Sequence, residues 1–352
     1  MLTSPALPAL LAALLFGAST PLAKLLAGNM PPLLLAGLLY LGSGFGLGAL
    51  LLLRRLRERH GGQPVTRLHI ARAERPWLVG AIAAGGVLGP GLFMLGLTQT
   101  SAVSASLLLN LEGMLTALVA WLVFRENADR RLVLGMVAIA LGGVLLSWAP
   151  GGTAFSPGAL LIAGACLCWA LDNNLTRKVS SNDALLLACL KGLLAGVTNT
   201  GIALYSGAVL PGAQQLGYAG VVGFLGYGLS LSLFVVALRT LGTARTGAYF
   251  SVAPLFGVLI SLLIWPDTPG LLFWAAAALM GLGVWLHLGE RHAHAHTHAV
   301  QGHSHPHHHD AHHQHAHDFA WDGKTPHAHP HQHAALAHTH AHYPDIHHRH
   351  LH

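Results

Sequence analysis

Charged residues are scarce in this sequence. Asp, Glu, Lys and Arg together make up 9% of the 352 residues, whereas hydrophobic residues make up 53% and the mean hydropathy is +0.53. A soluble globular domain carries roughly 25% charged residues, so a chain of this composition could not keep its surface in water. The composition therefore excludes an ordinary soluble protein and predicts a chain embedded in lipid.

Cysteine is also rare, and the motifs of familiar enzymes are missing. The three cysteines lie in apolar stretches, and Cys166 and Cys168 would point to nearly opposite sides of a helix, so they cannot share a metal or a disulfide. The sequence contains no P-loop, HExxH or Rossmann glycine signature and no visible nucleophile–base pair. Neither an enzyme nor an ATP-driven pump is expected. The arginines lie in short loops rather than in a basic patch, so no nucleic-acid partner is expected either.

Ten apolar segments are long enough to cross a membrane, which takes about 20 predominantly apolar residues. Short connections rich in Gly and Pro separate many of them. The sequence therefore predicts an all-α integral membrane protein with ten transmembrane spans, at approximately 6–26, 32–53, 77–98, 104–124, 132–148, 157–175, 184–205, 216–238, 246–264 and 270–288.

Basic residues lie in every second connection. The connection between spans two and three alone contains seven arginines, and the alternate connections contain no Lys or Arg. Because cytoplasmic loops carry the excess of Lys and Arg, both termini are expected in the cytoplasm of a bacterial-type inner membrane.

An internal repeat relates the two halves of the apolar region. The segment from Thr100 aligns without gaps with the segment from Gly242, at an offset of 142 residues, and Glu112 then corresponds to Pro254. FGASTPLAK from Phe16 likewise aligns with WALDNNLTR from Trp169. Because each half has five spans, an odd number, the two copies insert in opposite directions, as in many secondary transporters.

These features resemble one family. Two five-span halves, the Trp169–Ala170 pair, the small-residue entries to spans four and nine, and FRE after span four are similar to the EamA-type ten-helix transporters of the drug/metabolite transporter superfamily. The resemblance implies two inverted five-helix repeats, residues 1–150 and 151–290, and does not extend to the tail. Composition predicts that residues 291–352 form a disordered His-rich tail, and the one-sided arginines predict that this tail is cytoplasmic. It implies a secondary-active exporter of a small organic metabolite or drug-like solute.

Two other functions remain open at this point. The first is a divalent transition-metal exporter for Ni, Co or Zn, with the tail collecting cytosolic ions. The second is a non-transporting membrane scaffold with a metal-buffering tail. None of these functions requires a cofactor. The expected partners are a small-molecule substrate, the lipid bilayer and metal ions on the tail. A homodimer is one candidate assembly.

Polar residues at membrane depth are costly, so each one needs a reason. Glu112 lies deepest, and burial disfavours its charged form, which suits a proton-coupling carboxyl; the alternative is a static ion pair with Lys24 or Lys191. Asp172 shares a helical face with Trp169 and Thr176, or it could simply sit beside Arg177. Lys24 and Lys191 could extend to the membrane surface. The candidate residues of the transport path are Lys24, Asn110, Glu112, Asp172, Asn173, Asn174, Lys191, Thr198 and Asn199.

Histidine is concentrated at the end of the chain, where 24 of the 27 histidines lie between His292 and His352. Little in this segment could form a core, so it is expected to be disordered. Neutral imidazole binds transition metals, and repeated HxH motifs in a flexible chain can gather several nitrogens on Ni²⁺, Zn²⁺, Cu²⁺ or Co²⁺. The predicted metal ligands are His292, His294, His296, His298, His303, His305, His307, His308, His309, His312, His313, His315, His317, His327, His329, His331 and His333.

Overall fold

Among the described residues, ten helices make up the membrane part of the protein. A computed structural model describes residues 6–60, 70–124, 130–148, 155–179, 182–234, 236–237, 249–266, 269–288, 293–298, 301–307, 327–333 and 336–341. The helices are α1 (Leu7–Ala27), α2 (Pro32–His60), α3 (Arg72–Gln99), α4 (Ala102–Leu122), α5 (Arg130–Ser147), α6 (Pro157–Arg177), α7 (Ala184–Tyr205), α8 (Ala213–Phe234), α9 (Ala253–Ile264) and α10 (Leu271–Leu288).

These helices correspond in order to the ten predicted spans. The first eight are long and apolar enough to cross a membrane, while α9 and the stretch Leu271–Leu286 of α10 are shorter but apolar. Large apolar side chains also face outward, such as Leu263 at 82% exposure and Leu271 at 85%. Such surfaces are suited to lipid rather than to water, so the chain is a multi-pass, nearly all-helical membrane protein.

Irregular helical turns recur at equivalent places in the two halves. Ile82–Leu88 in α3 and Phe224–Leu229 in α8 are both π-helical, and their first residues are 142 positions apart. In α4 the helix is interrupted at Leu109, and the equivalent turn at Ser251–Val252 precedes α9. The offset of 142 residues in the sequence therefore reappears in the backbone. The exact division of the helical part at residue 150 stays a prediction.

Equivalent helices of the two halves also make equivalent contacts. The pair α1 and α9 corresponds to the pair α6 and α4, and the pair α3 and α6 corresponds to α8 and α1; all four pairs are in contact. Helices α2 and α7 pack on each other, as do α5 and α10. Between α2 and α7 a Cβ on Gly44 would lie 2.6 Å from the backbone nitrogen of Leu193, so this close approach requires glycine.

The tail is a second unit, separated by its contacts from the first at Glu290. Its described residues contain four strands, β1 (Ala293–His298), β2 (Gln301–His307), β3 (His327–His333) and β4 (Leu336–Ala341). Strand β1 pairs antiparallel with β4, and β2 with β3. The disorder that the composition predicts for the tail as a whole stays a prediction.

Candidate functional site

Lys24 on α1 lies beside the end of α3. Its ammonium donates to the carbonyl oxygens of Leu97 and Thr100, the latter at 2.9 Å. Leu97 lies in the last turn of α3 and Thr100 directly follows the helix, where carbonyls lack helical donors and carry partial negative charge. The structure thus gives Lys24 a capping contact in place of an ion pair with Glu112. The extension of Lys24 to the membrane surface stays a prediction.

Asp172 and Lys191 form a buried ion pair between α6 and α7. The ammonium of Lys191 lies 2.6 Å and 2.7 Å from the two carboxylate oxygens of Asp172. The hydroxyl of Thr176 donates to Asp172 at 2.7 Å, which agrees with the predicted shared face of α6. The ammonium also approaches that hydroxyl at 3.2 Å, so all three donors of Lys191 are used. The pairing of Asp172 is therefore with Lys191, and Lys191 points into the bundle.

In the π-helical segment of α3, two backbone carbonyls lack helical donors and accept hydrogen bonds from side chains instead. Pro90 has no N–H, so the carbonyl of Gly86 lacks its helical donor, and the N–H of Gly89 bonds to Ala84 rather than to Gly85. The carbonyl of Gly86 accepts from the side-chain amide of Asn199 on α7 at 3.0 Å.

The carbonyl of Gly85 receives two donors. The hydroxyl of Tyr40 on α2 and the indole N–H of Trp169 on α6 each lie 3.0 Å from it. Because unsatisfied backbone groups are especially costly in lipid, these contacts join α2, α3, α6 and α7.

Glu112 on α4 is bound by an amide rather than by a lysine. The side-chain amide of Asn173 donates to Glu112 at 3.0 Å and also lies 3.3 Å from the hydroxyl of Thr116. The neighbouring Asn174 donates to the backbone carbonyls of Thr116 and Ala170. Two adjacent asparagines of α6 thus hold α4 at Glu112 and, one turn further along, at Thr116. Within the described residues no lysine or arginine nitrogen forms an ion pair with Glu112.

A cavity of about 240 Å³ lies beside Glu112. Its walls come from α1, α4, α5, α9, α10 and the turn before α9, so it lies where the two interrupted helices meet. The lining residues are Phe16, Leu109, Asn110, Glu112, Gly113, Met114, Ile139, Phe250, Ser251, Ala253, Pro254 and Val284. The arrangement offers one ionisable carboxyl in a largely apolar space, at the centre of the repeat.

The other two residues predicted for the transport path, Asn110 and Thr198, lie in different places. Asn110 lines the cavity and donates to the carbonyl of Leu107 at 2.8 Å. Thr198 is exposed on the outer side of α7 and donates to Leu194 of its own helix. It lies at the edge of the buried face, and its side chain is too short to reach inward as Lys191 does. The structure therefore brings Glu112, Asn110 and Asn173 together and leaves Thr198 outside.

Several residues of this region were not among the predicted ones. Phe16 and Phe250 line the cavity, and Tyr40 and Trp169 bind the π-helical segment. Aromatic residues in apolar spans resemble ordinary core residues, so no sequence signal separates them from packing. Only Phe16 gave a hint, since it corresponds to Trp169 in the repeat.

The predicted metal ligands all belong to the second unit. Ten of them lie in its strands, where the backbone register sets His294 opposite His340 and His303 opposite His331. The others lie outside the described residues, namely His292, His308, His309, His312, His313, His315 and His317. Metal binding by the tail stays a prediction.

Comparisons with known proteins agree with this architecture. The model of the EamA-like transporter family matches residues 3–148 and 156–289. The chain is 30% identical over 264 residues to an uncharacterized transporter of Methanothermobacter thermautotrophicus strain Delta H, covering 72% of this chain and 77% of that protein. It is 27% identical over 205 residues to the uncharacterized transporter YyaM of Bacillus subtilis strain 168, covering 55% of this chain and 66% of YyaM.

One solved crystal structure shares the fold. It has 20% sequence identity and a TM-score of 0.58, over 80% of this chain and 96% of the other. The family match extends over almost the whole helical unit and falls into two blocks, one for each half. The protein is thus a membrane transporter and not an enzyme, and its partners are the bilayer and a small-molecule substrate. The chain belongs to the EamA-like transporter family, within the drug/metabolite transporter superfamily.

Proposed function

We propose that this transporter exports a small organic solute by alternating access, with Glu112 carrying the coupling proton. The observation that supports it is the position of Glu112 in a cavity where the interrupted helix α4 meets the turn before α9. A carboxyl in a largely apolar cavity can exchange a proton when the cavity opens to water. The repeat makes the two access states nearly equal in energy, so a single protonation can bias them.

Other ionisable groups near Glu112 are already paired. Asp172 on α6 and Lys191 on α7 neutralise each other. Glu112 is therefore the group whose charge can change during a transport cycle. This argument favours a proton over a metal ion as the coupling species.

The metal-exporter alternative gains little from the helices. Among the described residues, no group of three or more His, Cys, Asp or Glu could hold a metal ion. We propose that the His-rich tail binds Ni²⁺, Zn²⁺, Cu²⁺ or Co²⁺ independently of transport, and that it lies in the cytoplasm with the N-terminus. The one-sided distribution of arginines supports this orientation.

The test is the substitution Glu112→Gln, which is nearly isosteric and removes the titratable proton. It should insert and fold normally, lose proton-gradient-driven transport by at least about tenfold, and keep substrate exchange, which needs no net proton movement. Transport is measured in inside-out vesicles with and without a pH gradient, and Glu112→Asp serves as the matched control that keeps a carboxyl. Full gradient-driven transport by Glu112→Gln would end the coupling proposal.

A further inference from the structure

The cavity contains one ionisable side chain and two aromatic rings. Among its described lining residues, Glu112 is the only one that can carry a charge, and Asn110 and Ser251 are the only others with polar side chains. The remaining wall is formed by Leu109, Met114 and other apolar residues. A ligand in this space would therefore meet one negative charge and otherwise hydrocarbon.

Within the described residues, Lys191 and Lys24 do not supply a counter-charge to this cavity. Lys191 uses its three N–H donors on Asp172 and Thr176. The ammonium of Lys24 binds the carbonyls at the end of α3. In the described part of the chain the polar contact of the Glu112 carboxylate is the amide of Asn173. Among the described residues, a ligand that carries its own carboxylate would meet like charge here and no cationic partner.

The two rings are held in place by other rings. Phe16 and Phe250 have their centroids 5.5 Å apart. Behind them Phe234 packs edge-on against Phe250 at 4.8 Å, and Tyr227 packs edge-on against Phe16 at 6.2 Å. Rings fixed in this way lose little freedom when a ligand binds, and their faces attract cations.

We infer that the substrate of this cavity is a small organic monocation, a primary amine on an apolar or aromatic skeleton. Its ammonium would bind Glu112 and its apolar part would lie against Phe16 and Phe250. The volume of about 240 Å³ lies below the usual range for drug-sized ligands, so one ring with a short chain is the expected size. This inference rests on the proposed function in that it takes the same cavity as the transport site.

Four ligands on one skeleton test the charge requirement. Binding of 2-phenylethylamine, 2-phenylethanol, 3-phenylpropanoate and phenylalanine is measured by calorimetry on the full-length protein in nanodiscs at pH 7.5. The amine should bind at least about tenfold more tightly than the alcohol, since a charge-assisted pair adds to the same apolar contact. The anion and the zwitterion should bind more weakly than the amine. Equal binding of all four, tighter binding of phenylalanine or of the anion, or no saturable binding of the amine would overturn the inference.

Two variants of the cavity and one control variant test whether the preference for the amine arises in this cavity. Glu112→Gln should remove most of the preference for the amine over the alcohol. Phe16→Leu should weaken binding of both the amine and the alcohol by about 2- to 13-fold, the size of an aromatic contact with the ligand's apolar part. Trp274→Leu, a substitution of an outward-facing aromatic residue on α10 at 52% exposure, is the control and should change neither. Unchanged amine preference in Glu112→Gln would overturn the inference.

The result also separates the inference from the proposed function. If the amine binds selectively but the wild-type protein moves it equally with and without a pH gradient, proton coupling fails and the ligand class stands. If Glu112→Gln loses gradient-driven transport of some other solute while the amine does not bind, the ligand class fails and proton coupling stands.

Discussion

Asp172 and Lys191 illustrate how single charges are tolerated inside this bundle. Their side chains are only 8% and 19% exposed, and each would be strongly disfavoured alone in a low-dielectric environment. Contacts of 2.6 Å and 2.7 Å between the ammonium and both carboxylate oxygens, with Thr176 completing the set, offset that cost. The pair is best understood as a structural contact between α6 and α7, which frees Glu112 for a different role.

Breaking this pair from one side should therefore be costly. Lys191→Met leaves the Asp172 carboxylate buried without its cation and should destabilise the protein by about 3–5 kcal/mol. Adding Asp172→Asn should restore much of that loss, because the stranded charge is gone. Thermal unfolding in detergent, with expression level as a second readout, measures both variants.

Lys178→Met is the comparison for that experiment. Lys178 lies near the rings of Trp77 and Phe124 at the end of α6, and its loss should cost less than about 1 kcal/mol. A double variant as unstable as Lys191→Met alone would show that Asp172 has another essential partner.

The sequence predicts which polar residues lie within the membrane better than it predicts which residues they contact. The helical spacing of Trp169, Asp172 and Thr176 predicted one face, and Thr176 does bond to Asp172. The choice of Lys191 rather than Arg177 as the ion partner of Asp172 depends on how α7 packs on α6, which spacing within one helix cannot report. The same holds for Lys24, whose capping contact is formed by the end of a different helix.

Pro90 explains the π-helical segment of α3, which was not predicted from the sequence. By removing one N–H it leaves the carbonyl of Gly86 without a helical donor, and the local register shifts into a π-helical segment. In the other repeat the equivalent position is Ser232, whose hydroxyl donates to Gly228 of its own helix at 3.0 Å. The two segments are thus equivalent in position but different in how they are held, one by three neighbouring helices and one partly by itself.

Asn199 and Pro90 should be energetically linked. Asn199→Leu removes the donor to the Gly86 carbonyl and should cost about 1–3 kcal/mol, because a buried acceptor is left unsatisfied. In a Pro90→Ala background the new N–H can serve that carbonyl, so the same substitution should cost much less. A thermal-stability double-mutant cycle measures the difference.

Thr198→Val is the matched control for Asn199→Leu. It lies one residue away, faces outward and bonds only within α7, so its effect should stay within about 0.5 kcal/mol in both backgrounds. Strictly additive effects of Asn199→Leu and Pro90→Ala would contradict the link.

Among the elements, the repeat was the most informative sequence signal. The gap-free offset of 142 residues was found from small residues around Glu112 and Pro254, and the interruptions at Leu109 and Ser251–Val252 keep that offset. The π-helical segments keep it too, although their sequences, IAAGGVL and FLGYGL, share little beyond glycine. Packing between helices preserves such a turn after its sequence has diverged, so sequence comparison alone could not locate it.

At the scale of the whole molecule, the symmetry is close in the scaffold and broken at its centre. Corresponding helix pairs from the two halves make corresponding contacts, which suits two access states of similar energy. At the cavity, however, one repeat contributes the titratable Glu112 and the other contributes Pro254. A nearly balanced scaffold with a single ionisable group is an arrangement that one proton can bias, which is the physical basis of the proposed coupling.

The tail offers the test of how the two units relate in function. Because residues 291–352 form a separate unit, truncation after Glu290 should leave the helical unit folded and still able to transport an organic solute. Metal binding should be lost with the 24 histidines of the tail. Zn²⁺ binding is measured on inside-out and right-side-out vesicles of the full-length and truncated proteins. Full-length protein should retain Zn²⁺ in inside-out vesicles only, since the tail is expected on the cytoplasmic side.

The pH dependence of Zn²⁺ retention separates imidazole ligands from other sites. Neutral imidazole binds the metal, and protonation competes for the same nitrogen, so retention should be complete near pH 7.5 and fade below about pH 6. Retention that persists at low pH would point to carboxylate ligands instead. Equal Zn²⁺ retention by right-side-out vesicles would contradict the orientation.

A truncated protein that inserts normally but transports no organic solute would move the assignment to the metal exporter, because the tail would then be part of the transport pathway rather than a separate metal-binding segment.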